Sequence, residues 1–342
     1  MKKRHINIPI FIPHLGCPNG CVFCNQRSIS GHIDFHIEDV ERDINQVLST
    51  VGEEDSCEIA FFGGSFTGID RSLMIALLDI AQKYCDAGKV EAIRLSTRPD
   101  YIDEEILSIL KRYGVKTIEL GLQSMDRDVL MASKRGHTAE RAELACRMVK
   151  EWGFRLIGQM MIGLPSSNIE KEKATAKRIC ELGADGARVY PTVVFFDTEL
   201  AEMTASGKYS PLCDEDAVRR TTEVLKIFDS FGVPCIRVGL CAGENLADES
   251  KVMGGANHSA IGELAMGELY YEKICAEVVK EGFFGGELTV FVSEGSVSKA
   301  VGQKKKNKLR ICEKYGFDRV KVLEKKSILS YNIVLEHLPE SK

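Results

Sequence analysis

The sequence predicts an α/β protein built on a parallel sheet, and three observations carry that prediction. Strand-like and helix-like segments alternate through roughly the first 200 residues. Glycine and polar residues gather where the strand-like segments end. A length of 342 residues at 44% hydrophobic content is enough for a barrel-sized core with a small second unit.

Each element follows from its local pattern. "HINIPIFI" reads as a strand, and "IEDVERDINQVLSTV" spaces Ile37, Val40, Ile44, Val47 and Leu48 as one helical face. "EIAFFGG" is a short apolar run closed by two glycines, followed by the helix "RSLMIALLDIAQKYC". "EAIRLSTRPD" is a strand that turns before Pro99, and "DEEILSILKRYG" is a helix with Gly114 placed as its C-cap. "VKTIELGLQS" is a strand, and "TAERAELACRMVKEWG" a helix N-capped by Thr138. "FRLIGQMMIGLP", "NIEKEKATAKRICELG" and "ADGARVYPTVV" continue the alternation as strand, helix, strand. These six β/α units fit either an open doubly wound sheet or an incomplete (β/α)6 barrel. A further helix, "DEDAVRRTTEVLKIFDSFG", and strand, "PCIRVGL", follow. Residues 241–261 read as a glycine-rich loop and 262–283 as a helix. The expected domains are 1–240, a connecting loop and helix at 241–284, and a small basic module at 285–342.

Charge separates the module from the body. Residues 286–342 hold 12 Lys and Arg against 7 Asp and Glu, a net +5, so the rest carries −10. A basic tail on an acidic body suggests an anionic partner. No apolar run is long enough for a secretory signal or a membrane span, so a cytoplasmic location is expected. There, twelve cysteines argue for metal or redox use over disulfides. Cys57, Cys85, Cys146, Cys180 and Cys275 sit singly and read as small buried hydrophobes. Cys213, Cys235 and Cys241 are close enough in sequence for a second cluster site.

"LGCPNGCVFCNQRS" concentrates the chemistry. Cys17, Cys21 and Cys24 are spaced C-x3-C-x2-C, with Pro18, Asn19 and Gly20 turning the chain. Structural zinc sites usually take four ligands, and here only His14 and His32 are nearby candidates for the fourth. Three thiolates suit a [4Fe–4S] cluster with one iron left open to a small molecule.

This motif, with Phe23 before its third cysteine, resembles the signature of the radical S-adenosylmethionine (radical SAM) superfamily. "FFGGSFTG", "STRPDYI", "ELGLQS", "KRGHT", "MMIGLP", "RVYPTVVFFDTEL" and "GKYSPL" follow in order and extend the resemblance over roughly residues 6–240. They are similar to the radical SAM core of the Elp3-type (elongator catalytic subunit) tRNA-modifying enzymes, and more loosely to oxygen-independent coproporphyrinogen oxidases. The resemblance implies the incomplete (β/α)6 barrel and a cluster on Cys17, Cys21 and Cys24. It implies that Gly63, Gly64 and Ser65 hold the amino end of SAM and that Arg135 pairs with its carboxylate. Gln123 and Gln159 would reach the nucleoside, and an electron donor such as flavodoxin or ferredoxin would be a partner. Ser96 stands where many relatives carry glutamate, and "LPSS" where they carry "LPG". The acetyltransferase domain of those enzymes is not expected in a chain ending at Lys342, and their acetyl chemistry is not inferred.

The tail reads as strand, short helix, loop "GQKKKNK", helix, strand, which resembles a KH-type RNA-binding fold. Gly302 matches the first loop glycine of GxxG and Lys305 stands at the second. Lys304, Lys305, Lys306, Lys308 and Arg310 crowd a helix start that favours phosphate. The expected function is SAM cleavage to a 5′-deoxyadenosyl radical that modifies RNA, with tRNA as the substrate class. The alternatives are radical chemistry on a small molecule or peptide, or a non-catalytic cluster-bearing RNA-binding protein.

Overall fold

Alternating apolar residues build the strands, and polar N-caps start the helices between them. The computed structural model describes residues 4–12, 16–17, 20–25, 35–52, 54–240 and 250–339. Strands β1 (His5–Phe11), β2 (Ser56–Phe62), β3 (Ala92–Thr97), β4 (Val115–Gln123), β5 (Arg155–Ile162), β6 (Gly186–Pro191) and β8 (Cys235–Val238) form one sheet in that order. Every neighbouring pair in it is parallel. Six of these strands are those of the six β/α units; "PCIRVGL" adds the seventh beside β6. Among the described residues no ladder joins β1 to β8, so the barrel stays open.

Helices α1 (Ile37–Leu48), α2 (Arg71–Asp86), α3 (Glu104–Arg112), α4 (Arg127–Ala132), α5 (Ala139–Glu151), α6 (Ile169–Glu181), α7 (Glu199–Ala205) and α8 (Asp214–Ser230) separate the strands. Asp70, Asp103, Asp126, Thr138, Asn168 and Thr198 cap six of them through side-chain oxygens. The convex strand residues Ile8, Ile59, Ile93, Leu120, Leu156 and Val189 are buried in one core with Leu77, Leu107, Val149, Ile179 and Phe228 from the helices. At Gly158 an added Cβ would stand 2.5 Å from Ile179 Cγ2, so α6 rests almost on the β5 backbone.

The sheet is strongly curved. The Arg188 guanidinium on β6 sits 5.5 Å from the centre of the Phe62 ring on β2. Strands four places apart would lie about 19 Å apart in a flat sheet, so this approach requires the concave face to close on itself. That face carries Glu58, Arg94, Ser96, Glu119, Gln159 and Arg188. The incomplete barrel is therefore a half-barrel with a polar interior.

Three sequence expectations change. Gly114 is not a C-cap: α3 ends at an extended Tyr113, and Gly114 packs where an added Cβ would meet Cys85 Sγ at 3.1 Å. "ADGARVYPTVV" is two strands, because β7 (Val193–Phe195) leaves the main sheet. It pairs antiparallel with β9 (Val252–Gly255), which lies in the stretch read as loop.

Helix α9 (Ile261–Glu281) ends at Gly282 in the left-handed region. The tail then runs β10 (Glu287–Val292), α10 (Val297–Val301), α11 (Lys306–Tyr315), β11 (Arg319–Glu324) and β12 (Ile333–Leu338). β10 is central, parallel to β11 and antiparallel to β12. This is the expected strand–helix–loop–helix–strand order with one strand added. Among the described residues no helix is long and apolar enough to cross a membrane.

Candidate active site

The C-terminal ends of the central strands surround the cysteine loop, and two glycines let it dock. At Gly16 (φ +85°) an added Cβ would stand 2.5 Å from the Ser65 carbonyl oxygen; at Gly68 it would stand 2.6 Å from the Gly16 oxygen. The loop following β2 and the cysteine loop therefore touch backbone to backbone. Val22 is buried with Val194, Leu200 and Ala201. Its N–H donates to the Ser133 carbonyl at 3.2 Å, and its carbonyl accepts from Leu200 N–H at 2.8 Å.

The sequence-assigned residues lie around this loop. Cys17 Sγ is 3.4 Å from the Ser65 hydroxyl. Gly63 has φ +102°, and its missing side chain leaves room for the Ile12 backbone. Arg135 is buried; its Nη1 donates toward Cys21 Sγ at 3.5 Å and its Nη2 to the Gly121 carbonyl at 2.6 Å. An added Cβ at Gly121 would stand 2.9 Å from Arg135 Nη2, so the glycine admits the guanidinium. Gln123, with φ +65°, accepts from Gln159 Nε2 at 3.5 Å. Cys17, Cys21 and Cys24 share this one loop, Cys21 buried and the other two half-buried. Pro18, Asn19, His14, His32 and Cys241 lie outside the described residues.

The second cysteine group does not form among the residues described. Cys213 is exposed and directs its thiol to Asp216. Cys235 is buried on the convex side, and burial pushes its thiol up to about 12. Burial also pushes Cys146 up to about 12 and Cys180 to about 11, which leaves them inert as expected. Cys85 is only half-buried.

Two site residues lie inside motifs of the sequence without standing out there. Arg98 of "STRPD" is 2% exposed. It donates from Nε and Nη2 to Asp100 at 2.9 and 2.8 Å, while the buried Nη1 has no partner. Burial works against its charge, but Asp100, with Cys21 and Cys17 nearby, holds its pKa above the usual value. His137 of "KRGHT" is buried with neither ring nitrogen bonded. Burial, then the charge of Arg135, lowers it to about 3, so it is neutral. The only sequence signal of either is a charged or polar residue at a strand or helix end, which a solvated surface also produces.

A cavity of about 270 Å3 opens beside the loop, lined by Gly163, Ser166, Lys208, Tyr209 and Arg220 among others. It brings "GLPSS" and "GKYSPL" together, with Tyr209 Oη donating to the Gly163 carbonyl at 2.6 Å. In the tail, Lys304, Lys305 and Lys306 are exposed and Lys308 is half-buried. Arg310 does not join them: it is paired with Glu268 at 2.7 Å and stacked 3.5 Å over Tyr271.

Comparison with known proteins matches this geometry to a family. A model of the Radical SAM superfamily matches residues 11–179, and one of the Radical_SAM C-terminal domain matches residues 184–271. The chain is 26% identical over 290 residues to a tRNA uridine(34) acetyltransferase of Methanocaldococcus infernus, covering 72% of this chain and 53% of that one. It is 29% identical over 223 residues to Elongator complex protein 3 of Mus musculus, covering 59% and 41%. The chain thus spans about half the length of the curated relatives it matches. The solved archaeal Methanocaldococcus infernus Elp3 superposes with a TM-score of 0.61 at 22% identity, over 82% of this chain and 64% of that one, which shows a common fold. The matched spans contain the cysteine loop and the strand ends around it; the chain is similar to Elp3-type enzymes and belongs to the radical SAM superfamily, whose enzymes work with a [4Fe–4S] cluster and S-adenosylmethionine.

Proposed function

We propose that this enzyme cleaves SAM to modify RNA, with tRNA as the substrate class. The observation that carries the reading is the arrangement at the half-barrel mouth. A three-thiol loop stands between a glycine-lined strand end and a buried guanidinium that has no carboxylate partner among the described residues.

The residues present fit the two cofactors. Cys17, Cys21 and Cys24 would hold the cluster, and the unpartnered Nη1 of Arg98 supplies a buried N–H and positive charge beside an anionic thiolate set. When bound, the cluster supplies the electron that splits SAM into methionine and a 5′-deoxyadenosyl radical, and a small redox protein such as flavodoxin or ferredoxin would deliver that electron. The carbonyls around Gly63, Gly64 and Ser65 would accept from the SAM ammonium. Arg135, whose Nε is buried without a partner, would pair with the carboxylate. Gln123 and Gln159 would hydrogen-bond the nucleoside. The half-barrel beneath would receive the substrate and shield its reacting hydrogen from bulk water.

The tail supports RNA over a small molecule. Lys304 (φ +50°) and Lys305 (φ +62°) occupy left-handed backbone that disfavours residues with a Cβ. Helix α11 opens with lysines and no acid, against its own dipole. Both features cost stability, and a bound phosphate would offset both. Asn307, buried, fixes the loop by donating to the carbonyls of Gly267 and Ala300 at 2.8 and 3.2 Å. Gly302, Lys304, Lys305, Lys306 and Lys308 would grip the RNA backbone.

The test is anaerobic. The cluster is reconstituted, SAM and a reductant are added, and 5′-deoxyadenosine is quantified with and without bulk tRNA. Stimulation by tRNA is the expected result. Cleavage indifferent to tRNA points to a small molecule or peptide, and no cleavage points to a binding protein. Cys21→Ala should lose both the cluster absorbance and the cleavage; a variant retaining both refutes the ligand assignment.

A further inference from the structure

Among the described residues, the concave face of the half-barrel carries one guanidinium, that of Arg237, with no carboxylate partner. Arg94 donates to Glu58 at 2.9 Å and to Glu119 at 3.0 Å. Arg188 places Nε 2.7 Å and Nη2 3.0 Å from Glu119. Two acids and two arginines therefore balance. Arg237 on β8 is the register partner of Arg188, one residue past an irregularity in the ladder, so it faces the same interior. Its Nε donates to the Gly239 carbonyl at 3.1 Å, and among the described residues no carboxylate pairs with it. Two guanidinium groups thus stand side by side on adjacent strands, and only that of Arg188 is paired, with Glu119.

Tyr190 completes the set. It lies two residues beyond Arg188 on the same face, toward the strand ends where the cysteine loop sits. Its hydroxyl accepts from Arg188 Nη1 at 3.3 Å, which leaves the phenolic proton free to be donated. The Phe62 ring, itself 6.4 Å from Phe11, covers the other side of Arg188. A guanidinium without a carboxylate partner among the described residues, a hydroxyl donor and apolar rings on one concave face make a receptor for an oxyanion.

We propose that Arg237, Arg188 and Tyr190 form an anion subsite on the floor of the half-barrel, holding a phosphate or carboxylate of the substrate below the reacting position. This rests on the reading of the half-barrel as the reaction chamber. It does not depend on the substrate being RNA.

Equilibrium dialysis of the full chain with radiolabelled inorganic phosphate, and separately acetate, tests it in a background with Lys304, Lys305, Lys306 and Lys308 all replaced by Gln, which neutralises the basic loop. One saturable site per chain is expected. Arg237→Gln should weaken it about tenfold or more and Tyr190→Phe about threefold, with Arg237→Lys retaining part of the affinity. Preference for phosphate assigns a phosphoryl group, and preference for acetate a carboxylate; either supports the subsite. No saturable binding by the parent chain, or equal binding by Arg237→Gln with an unchanged thermal midpoint, overturns it. Loss of tRNA stimulation in the cleavage assay, with phosphate binding intact, would refute the RNA reading alone.

Discussion

His137 shows how a single buried side chain ties stability to pH. Its ordinary pKa of 6.5 falls to about 3 in the folded chain, because burial and Arg135 both oppose a positive ring. Between those values the unfolded chain binds a proton that the folded chain refuses. Folding is therefore undisturbed above pH 6.5 and loses stability as pH falls toward 3. The slope attributable to one group is at most about 1.4 kcal/mol per pH unit. His137→Gln should flatten the decline in urea-unfolding free energy between neutral pH and about pH 4.5 by about 2 kcal/mol. An unchanged slope would show that His137 already titrates in the folded state.

At the scale of the strands, the interior charges act as a cross-brace. Glu119 is 1% exposed and receives Arg94 from β3 and Arg188 from β6, with Ser96 Oγ at 3.4 Å. The pairs connect β2, β3, β4 and β6, which hydrogen-bonded ladders join only pairwise. Buried ion pairs gain little over apolar packing, but a half-broken one is costly. Glu119→Gln should lower unfolding free energy by about 3–5 kcal/mol, and an all-apolar replacement of Arg94, Glu119 and Arg188 by much less. Urea titration of both variants checks this; a decrease below about 1 kcal/mol for Glu119→Gln would mean that water already screens the pair. The same elements show where local patterns fall short. Gly114 has the right place for a C-cap, yet packing against Cys85 and a hydrogen bond from its N–H to Gln82 at 2.6 Å set its conformation instead. Arg310 belongs to a basic run by sequence, but Glu268 and Tyr271 on α9 engage it.

Across the whole molecule, α9 joins the two cores. Ala265 and Leu269 pack into the main core, while Tyr270, Ile274 and Val278 pack into that of the tail. Lys226–Glu272 and Lys273–Asp229 ion pairs at 2.6 and 2.5 Å add to its seat on α8. A tail anchored in this way holds its lysines fixed relative to the half-barrel, as the proposed RNA substrate requires. Replacing Lys304, Lys305 and Lys306 together by Gln should leave tRNA-free SAM cleavage unchanged. It should also reduce the slope of log affinity for tRNA against log salt by about 0.7–0.9 for each phosphate no longer neutralised. Filter binding over a salt series measures this, and an unaltered slope would remove the loop from the RNA interface.

The first six strands, the long helices between them, the Thr138 cap and the C-x3-C-x2-C motif are legible in the sequence, because each is written within a few consecutive residues; α4, α7, β9 and β12 are not. The gathering of Gly63, Gln123 and Gly163 at strand ends is legible too, since parallel β/α alternation places all such ends on one side. Alternation alone leaves open sheet and incomplete barrel level, because curvature has no local signature; only the motif resemblance favours the barrel. The charge brace from Glu58 to Arg188, the surplus Arg237 and the burial of Arg98 and His137 come from the fold alone. The partners that brace those charges lie tens of residues away, and strand register and sheet curvature bring them together.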